Sequence, residues 1–374
     1  MFGISTQQSG HLTIDLNALC ENYQLLQKRV GKKVEITPAV KANAYGLGAK
    51  DVVHALHALE CRKFFVATLQ EALHLRQYFD DISLYVLNGF DDEYATTFLE
   101  EGFIPVLSSM KEVTHYRDFA QKANLSLPAY LHFDTGMNRL GIEPEHATPL
   151  ATDTSLLSHI TVKGVMSHLA CADTPEHSLN EAQLNLFKAI GDLYPDIPKS
   201  FANSSGIFLG EEYHFDEVRP GMALYGLNPT PYNEINPMMR VVQVDLRILS
   251  IKTLRAGAFV GYGATYHCDD VKTVAIIGAG YADGIFRSLS NKGAFYWQGM
   301  RCPILGRVSM DLTVIDISHI PEEIRPHEGD MVEMIGPHQA ASDIGTDAGS
   351  FDYEVLTALS SRYERSYKYD PAAF

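Results

Sequence analysis

At 374 residues, with 46% hydrophobic and 20% charged side chains, the chain is globular, has a sizeable core and is long enough for two domains. Its formal net charge of −16 argues against nucleic acid as a partner, because phosphate recognition needs clustered Lys and Arg. No run reaches the ~18 apolar residues of a membrane span, the opening "MFGISTQQSGHLTIDL" lacks the basic and apolar regions of a secretory signal, and five scattered cysteines without C-x-x-C point to reduced thiols. The expectation is a cytoplasmic protein with neither a disulfide framework nor a metal centre.

The first strand-like segment is "LTIDL", after which Asn17 is placed to cap a helix with Leu19, Tyr23, Leu26 and Val30 at helical spacing. Strand-like and helix-like segments then alternate. "VEITPAV" leads to the helix pattern "AKDVVHALHALE" and "KFFVATL" to "QEALHLRQYF". The runs "ISLYVLNG", "GFIPVLSS", "LPAYLHFDTG", "ITVKGVMSHLA", "KSFANSSG" and "EVRPGMALYG" complete a set of eight. Repeated βα units with apolar strands imply a parallel sheet, and eight of them predict a closed (β/α)8 barrel of the TIM type. An open doubly wound sheet is the alternative.

Such barrels carry their chemistry at the C-terminal ends of the strands. Lys41, Asp134 with Arg139, His168, Asn203 with Ser204, and Arg219 all follow strand runs, so one rim can gather them. Taken singly, Asp134 and Asn203 read as turn residues. Lys41 has two readings. It is a sheet-rim lysine snorkelling into water, or a buried lysine whose easily deprotonated amine forms a Schiff base.

Beyond Pro229 the texture changes. "RVVQVDLRILSIKTL" alternates apolar and polar residues as a half-buried antiparallel strand does. "AFVGYGATY", "KTVAIIGAG", "GAFYWQG", "RCPILGR", "LTVIDIS" and "GDMVEMIG" are further short strands, predicting a mainly β domain in which only "DYEVLTALSSRY" is helical. The division is a barrel over 11–229 and a β domain over 230–374, with strand 11–16 able to pack with the latter. "GAGYADG" has the wrong spacing for a dinucleotide fingerprint, His54 and His57 lack the Glu of a zinc-binding helix, and "GLGAK" lacks the end of a P-loop.

Taken together these stretches resemble the alanine racemases, pyridoxal-phosphate enzymes built from a barrel and a C-terminal β domain. "AVKANAYGLG" is similar to the family's cofactor-lysine motif. "DTGMNRLG", "SHLACAD", "NSSG", "RPGMALYG", "VGYGATY", "GYADG", "GRVSMD" and "YEVLTALSSR" follow in the family's order. The resemblance implies that Lys41 carries pyridoxal 5'-phosphate as a Schiff base. It also implies a phosphate grip of Tyr45, Ser204, Tyr353 and the backbone of Gly221 and Met222, with His168 against the pyridine ring and Arg219 at its nitrogen. A guanidinium donor leaves that nitrogen unprotonated and the ring a weaker electron sink, which disfavours transamination.

Racemisation needs acid/base groups on both faces of Cα, and the resemblance implies Lys41 on one and Tyr262 on the other. Tyr262 would come from the β domain of a second subunit in a homodimer. A phenol is a weak base at neutral pH, so a chain from Tyr262 through His168 to Arg219 would have to support its charge. Arg139 and the main chain of Met310 would hold the substrate carboxylate or phenolic oxygen, and Tyr281, Asp173, Arg287 and Arg307 would line the entrance. The implied activity interconverts L- and D-alanine and supplies D-alanine for peptidoglycan. A broad-specificity (serine) racemase and a pyridoxal-phosphate carrier are the alternatives. One departure stands out: many members have a carbamylated lysine where "LHFDTGM" places His132, so Arg139 loses a negative partner and an anion such as chloride, or an Asp or Glu from elsewhere, would fill the gap.

Overall fold

A computed structural model describes residues 9–373, which form two compact units. One unit comprises residues 9–17 with Arg240–Asp370, and the other begins at Ala18 and runs to Met239. Strand β1 (Gly10–Asp15) belongs to the former.

The Ala18–Met239 unit is a parallel barrel. Its strands are β2 (Glu35–Ile36), β3 (Lys63–Val66), β4 (Ser83–Val86), β5 (Ile104–Leu107), β6 (Leu127–His132), β7 (Ile160–Met166), β8 (Lys199–Asn203) and β9 (Glu217–Arg219). They pair in the order β2-β9-β8-β7-β6-β5-β4-β3, every pair parallel. The ring closes where Ala39, just beyond β2, bridges Phe65 of β3. There Phe65 N–H donates to Pro38 and Val40 N–H to Phe65, both at 2.9 Å. All eight strands expected from the apolar runs are present, and the open sheet is excluded.

Local chemistry sets where the outer helices begin and end. Thr68 and Glu71 form a capping box at the start of Leu69–Arg76. Ser109 caps Met110–Ala123, which stops at Asn124 in the left-handed conformation (φ 54°).

The barrel interior is unusually aromatic. Phe65, Tyr85 and Tyr130 are buried with ring centroids 4.9–6.0 Å apart, beside Ile104, Val106 and Met166. Two charged residues share this interior, Glu217 and Arg219. Spaced by two on β9, they point the same way, and they are 2% and 6% exposed.

The other unit is built on the 13-residue β10 (Val242–Leu254), whose Val242, Val244, Leu246 and Ile248 are buried. Its remaining strands are β11 (Phe259–Val260), β12 (Tyr266–His267), β13 (Lys272–Ile277), β14 (Ala294–Trp297), β15 (Met300–Pro303), β16 (Thr313–Asp316), β17 (Met331–Ile335) and β18 (Glu364–Lys368). β10 is antiparallel to β1, β13 and β17, and β1 is also parallel to β18.

Four local expectations are corrected. Asn17 lies inside the first turn of the helix Leu16–Val30, where its side chain accepts the Asp370 N–H at 2.8 Å rather than capping the helix. "AFVGYGATY" is not one strand, because Gly261 and Gly263, at φ 72° and 71°, fold it into a tight turn between β11 and β12. The C-terminal helix ends at Thr357. The sequence reading also missed the helix Ala341–Ala348 and strand β18, whose residues alternate between exposed and half-buried with no apolar run.

Gly164 of β7 lies so close to the Tyr130 ring that a Cβ would collide with it. Gly164→Ala is therefore expected to displace Tyr130 and cost about 1–3 kcal/mol, read as a lower urea midpoint for the barrel transition. An unchanged midpoint would show that the interior has slack at this level.

Candidate active site

The chain reverses hand immediately after the seam between β2 and β3. Lys41 is half-buried there, and Ala42, Asn43, Ala44 and Tyr45 all have φ between 52° and 55°. Four consecutive non-glycine residues in the left-handed region are strained, each by about 1–2 kcal/mol. Specific contacts hold them. Glu71 accepts the Ala42 N–H at 2.6 Å and the Ala67 N–H at 2.7 Å, and the Asn43 side chain accepts the Ala49 N–H at 2.8 Å. The turn points the lysine at the barrel mouth. Burial pushes the Lys41 ammonium below its ordinary range, the positive charges of Arg139 and Arg219 push the same way, and Glu71 opposes them. This half-burial and lowered basicity are what the buried-lysine reading expects, more than the snorkelling one.

Arg219 anchors the mouth from inside. Its guanidinium donates to Ser200 Oγ (2.7 Å), to the Ser167 and Phe201 carbonyls (2.5 and 3.4 Å) and to His168 Nδ1 (3.4 Å), and it stands 6.0 Å from the Phe65 ring centroid. Burial lowers its pKa to about 10, so it is a cation at neutral pH. A guanidinium only donates, which makes His168 Nδ1 the acceptor and leaves the ring proton on Nε2. Burial and the neighbouring cations hold His168 well below the ordinary imidazole range, hence neutral.

Across the mouth, Ser204 Oγ accepts the N–H groups of Gly221 (2.9 Å) and Ala223 (3.2 Å). A Cβ at Gly221 would collide with the Tyr45 hydroxyl, so only glycine lets that phenol meet the backbone. Tyr45 itself packs on Tyr225 at 4.7 Å, and Tyr225 is tied to the Ala39 carbonyl at 2.9 Å. Two hydroxyls converging on a glycine backbone suit a phosphate, and a nearby amine of depressed basicity suits an aldehyde. The chemistry of this donor set fits pyridoxal phosphate.

Other expected residues are placed differently. Asp134 accepts Gly136 and Asn138 N–H groups, and Asn203 ties Leu169 to Gly206, so both are turn residues. Arg139 is exposed and makes no ion pair among the described residues. His132 is buried against Ser108 Oγ at 3.2 Å and lowered to about 4, first by burial and then by Arg219 and Arg139. It is thus neutral and supplies no counter-charge to Arg139.

In the β unit, Tyr262 is 73% exposed on the turn between β11 and β12. Met310 is exposed beside Gly280, where a side chain would strike the Ser309 and Met310 carbonyls, and Tyr353 is exposed on the helix Asp352–Thr357. The sequence reading missed Glu71, Ser200 and Glu217. The two-residue spacing of Glu217 and Arg219 on one strand was the available signal.

Comparison with known proteins agrees with this geometry. A family model described as the alanine racemase N-terminal domain matches residues 14–229, and one described as the alanine racemase C-terminal domain matches residues 241–367. A protein named catabolic alanine racemase from Agrobacterium fabrum is 44% identical, covering 97% of this chain and 95% of its own. An alanine racemase from Brucella abortus is 41% identical over 96% and 94%. The structure of alanine racemase from Bartonella henselae with covalently bound pyridoxal phosphate superposes with a TM-score of 0.92 at 39% identity, covering 96% of this chain and 99% of that one. Matched along nearly its whole length, in both domains, this chain belongs to the alanine racemase family.

Proposed function

We propose that the chain is a pyridoxal-phosphate-dependent alanine racemase that interconverts L- and D-alanine. The observation that carries this reading is the company of Lys41. An amine of depressed basicity stands four residues before Tyr45, in the same barrel as the Ser204, Gly221 and Tyr45 cradle, and the charge of the buried Arg219 acts on it. The domain division is 11–229 for the cofactor-binding barrel and 230–374 for the β domain, with strand β1 packing in the latter and the compact barrel unit running on to Met239; the two matched family models support a boundary in this region.

When bound, the cofactor acidifies the Cα–H of the amino acid by giving its electrons somewhere to go. The protein's task is to bind, orient and move a proton. Tyr45, Ser204, Tyr353 and the backbone of Gly221 and Met222 grip the phosphate. Arg219 donates to the ring nitrogen and, being charged, gives it no proton. His168, neutral with its proton on Nε2, packs against the ring. Lys41 holds the cofactor and then serves one face of Cα, while Tyr262 serves the other. Arg139 and Met310 orient the substrate carboxylate or the phenolic oxygen.

Tyr262 is supplied by the β domain of a second copy, so the working unit is a homodimer. The 73% exposure of its side chain supports this, since a reactive tyrosine with so little cover from its own fold is placed to serve another. The enzyme is cytoplasmic, takes a small amino acid, needs no metal and supplies D-alanine for peptidoglycan.

Proton NMR of L-alanine in D2O, with chiral analysis of the product, tests the reaction. Loss of the α-proton together with approach to equal enantiomers is expected. Comparable exchange with serine would move the reading to the broader racemase, and no exchange with alanine to another amino acid or to the carrier.

Tyr262→Phe is expected to reduce α-proton exchange from L-alanine by about 10²–10⁴-fold, the usual worth of a positioned acid/base group, and to spare more of the exchange from D-alanine. Equal losses from both enantiomers would contradict the assignment of faces. Sedimentation of the holoenzyme should give twice the chain mass. A fully active monomer would sink the shared site.

A further inference from the structure

The interior of the barrel holds one feature that these roles leave unused. Among the described residues, Glu217 and Asp283 are the only buried carboxylates, and Glu217 is the one in the barrel unit. It lies one step below Arg219 on the same face of β9. Its carboxylate accepts from Thr37 Oγ1 at 2.5 Å and from the Tyr130 hydroxyl at 3.4–3.5 Å. Ser200 joins the two charged residues, because its Oγ accepts from the Arg219 guanidinium at 2.7 Å and donates to the Glu217 carbonyl at 3.3 Å.

We propose that Glu217 is a positioning residue: its carboxylate is the counter-charge that keeps the buried Arg219 guanidinium ionised and aimed at the reaction site. A buried cation needs a compensating charge as well as hydrogen-bond acceptors. Around Arg219 stand the cations Lys41 and Arg139, the two histidines are neutral, and the nearby carboxylates Glu71 and Asp134, which act on Lys41 and His132, are only half-buried. Glu217 is the one buried anion within the same wall. Its hydroxyl partners are donors, which suits the acceptor-only ionised form. Burial, with a smaller push from Glu35, raises its pKa above the ordinary carboxylate range, and the Thr37 and Ser200 hydroxyls and Arg219 pull the other way without cancelling the rise.

The residue is also within reach of solvent from the far end. A cavity of about 430 Å³ at the N-terminal mouth of the barrel reaches Glu217 and Tyr130. The titratable groups facing Glu217 are Glu35 from β2, Tyr85 from β4, Tyr130 from β6 and Arg219 on β9. The cavity adds Lys33, Lys163, Asp216 and Lys63, the last ion-paired with Glu35 at 2.6 Å. The protonation of Glu217 therefore follows the bulk through a mouth remote from substrate.

Glu217→Gln keeps the shape and an acceptor for Thr37 while removing the charge. In the holoenzyme, the alkaline limb of kcat/KM is expected to move down by about one to two pH units, with Glu217→Asp restoring it in part. Infrared spectra of protein labelled with 13C-glutamate should show an ionised buried carboxylate at neutral pH that Glu217→Gln removes. An unmoved alkaline limb in folded Glu217→Gln, or a protonated Glu217 in the wild type, would overturn the proposal. If Glu217→Gln does not fold, the wild-type infrared band alone decides: ionised supports the counter-charge, protonated refutes it.

Discussion

The removal of one guanidinium from water organises the catalytic end of the barrel. Arg219 is satisfied there by a hydroxyl, two carbonyls and an imidazole. Once fixed, its charge acts on everything near it. It disfavours protons on Lys41, His168 and His132, each already disfavoured by burial. Burial does most of this, and the buried cation adds to it at the amine and at both imidazoles, without a separate device for each.

A second constraint is backbone strain beside the reactive lysine. Four left-handed residues in succession persist because Glu71 and Asn43 tie their N–H groups and neighbouring backbone down. Glu71 performs two functions: it completes the capping box of Leu69–Arg76 and braces the turn that aims Lys41. The lysine's direction is therefore set by the βα unit that follows it.

Much of this was legible in the chain. The eight apolar runs gave the barrel strands in order, and polar residues at their ends marked the rim where Lys41, His168, Ser204 and Arg219 converge. The motif order gave the family. What could not be read has physical causes. Alanine has no preference for the left-handed region, so nothing in "KANAY" announces the reversal. The polar β18 is a strand because β1 pairs with it, not because of its own pattern. Glu217 reads as one more polar letter at the start of "EVRPG" until the closing of the barrel carries it inside.

The place of the site in the ring has a consequence for the life of the chain. Lys41 stands at the seam between the first barrel strand and the second, and its partners Ser204, Arg219 and Gly221 arrive with the last two strands. A chain still being synthesised has the lysine but none of the surroundings that depress its basicity. Its side chain remains an ordinary solvated ammonium, with only a small fraction present as the free amine that condenses with an aldehyde. The lowered basicity of that amine is the last property the barrel acquires, and a chain cut short before its final strands lacks it.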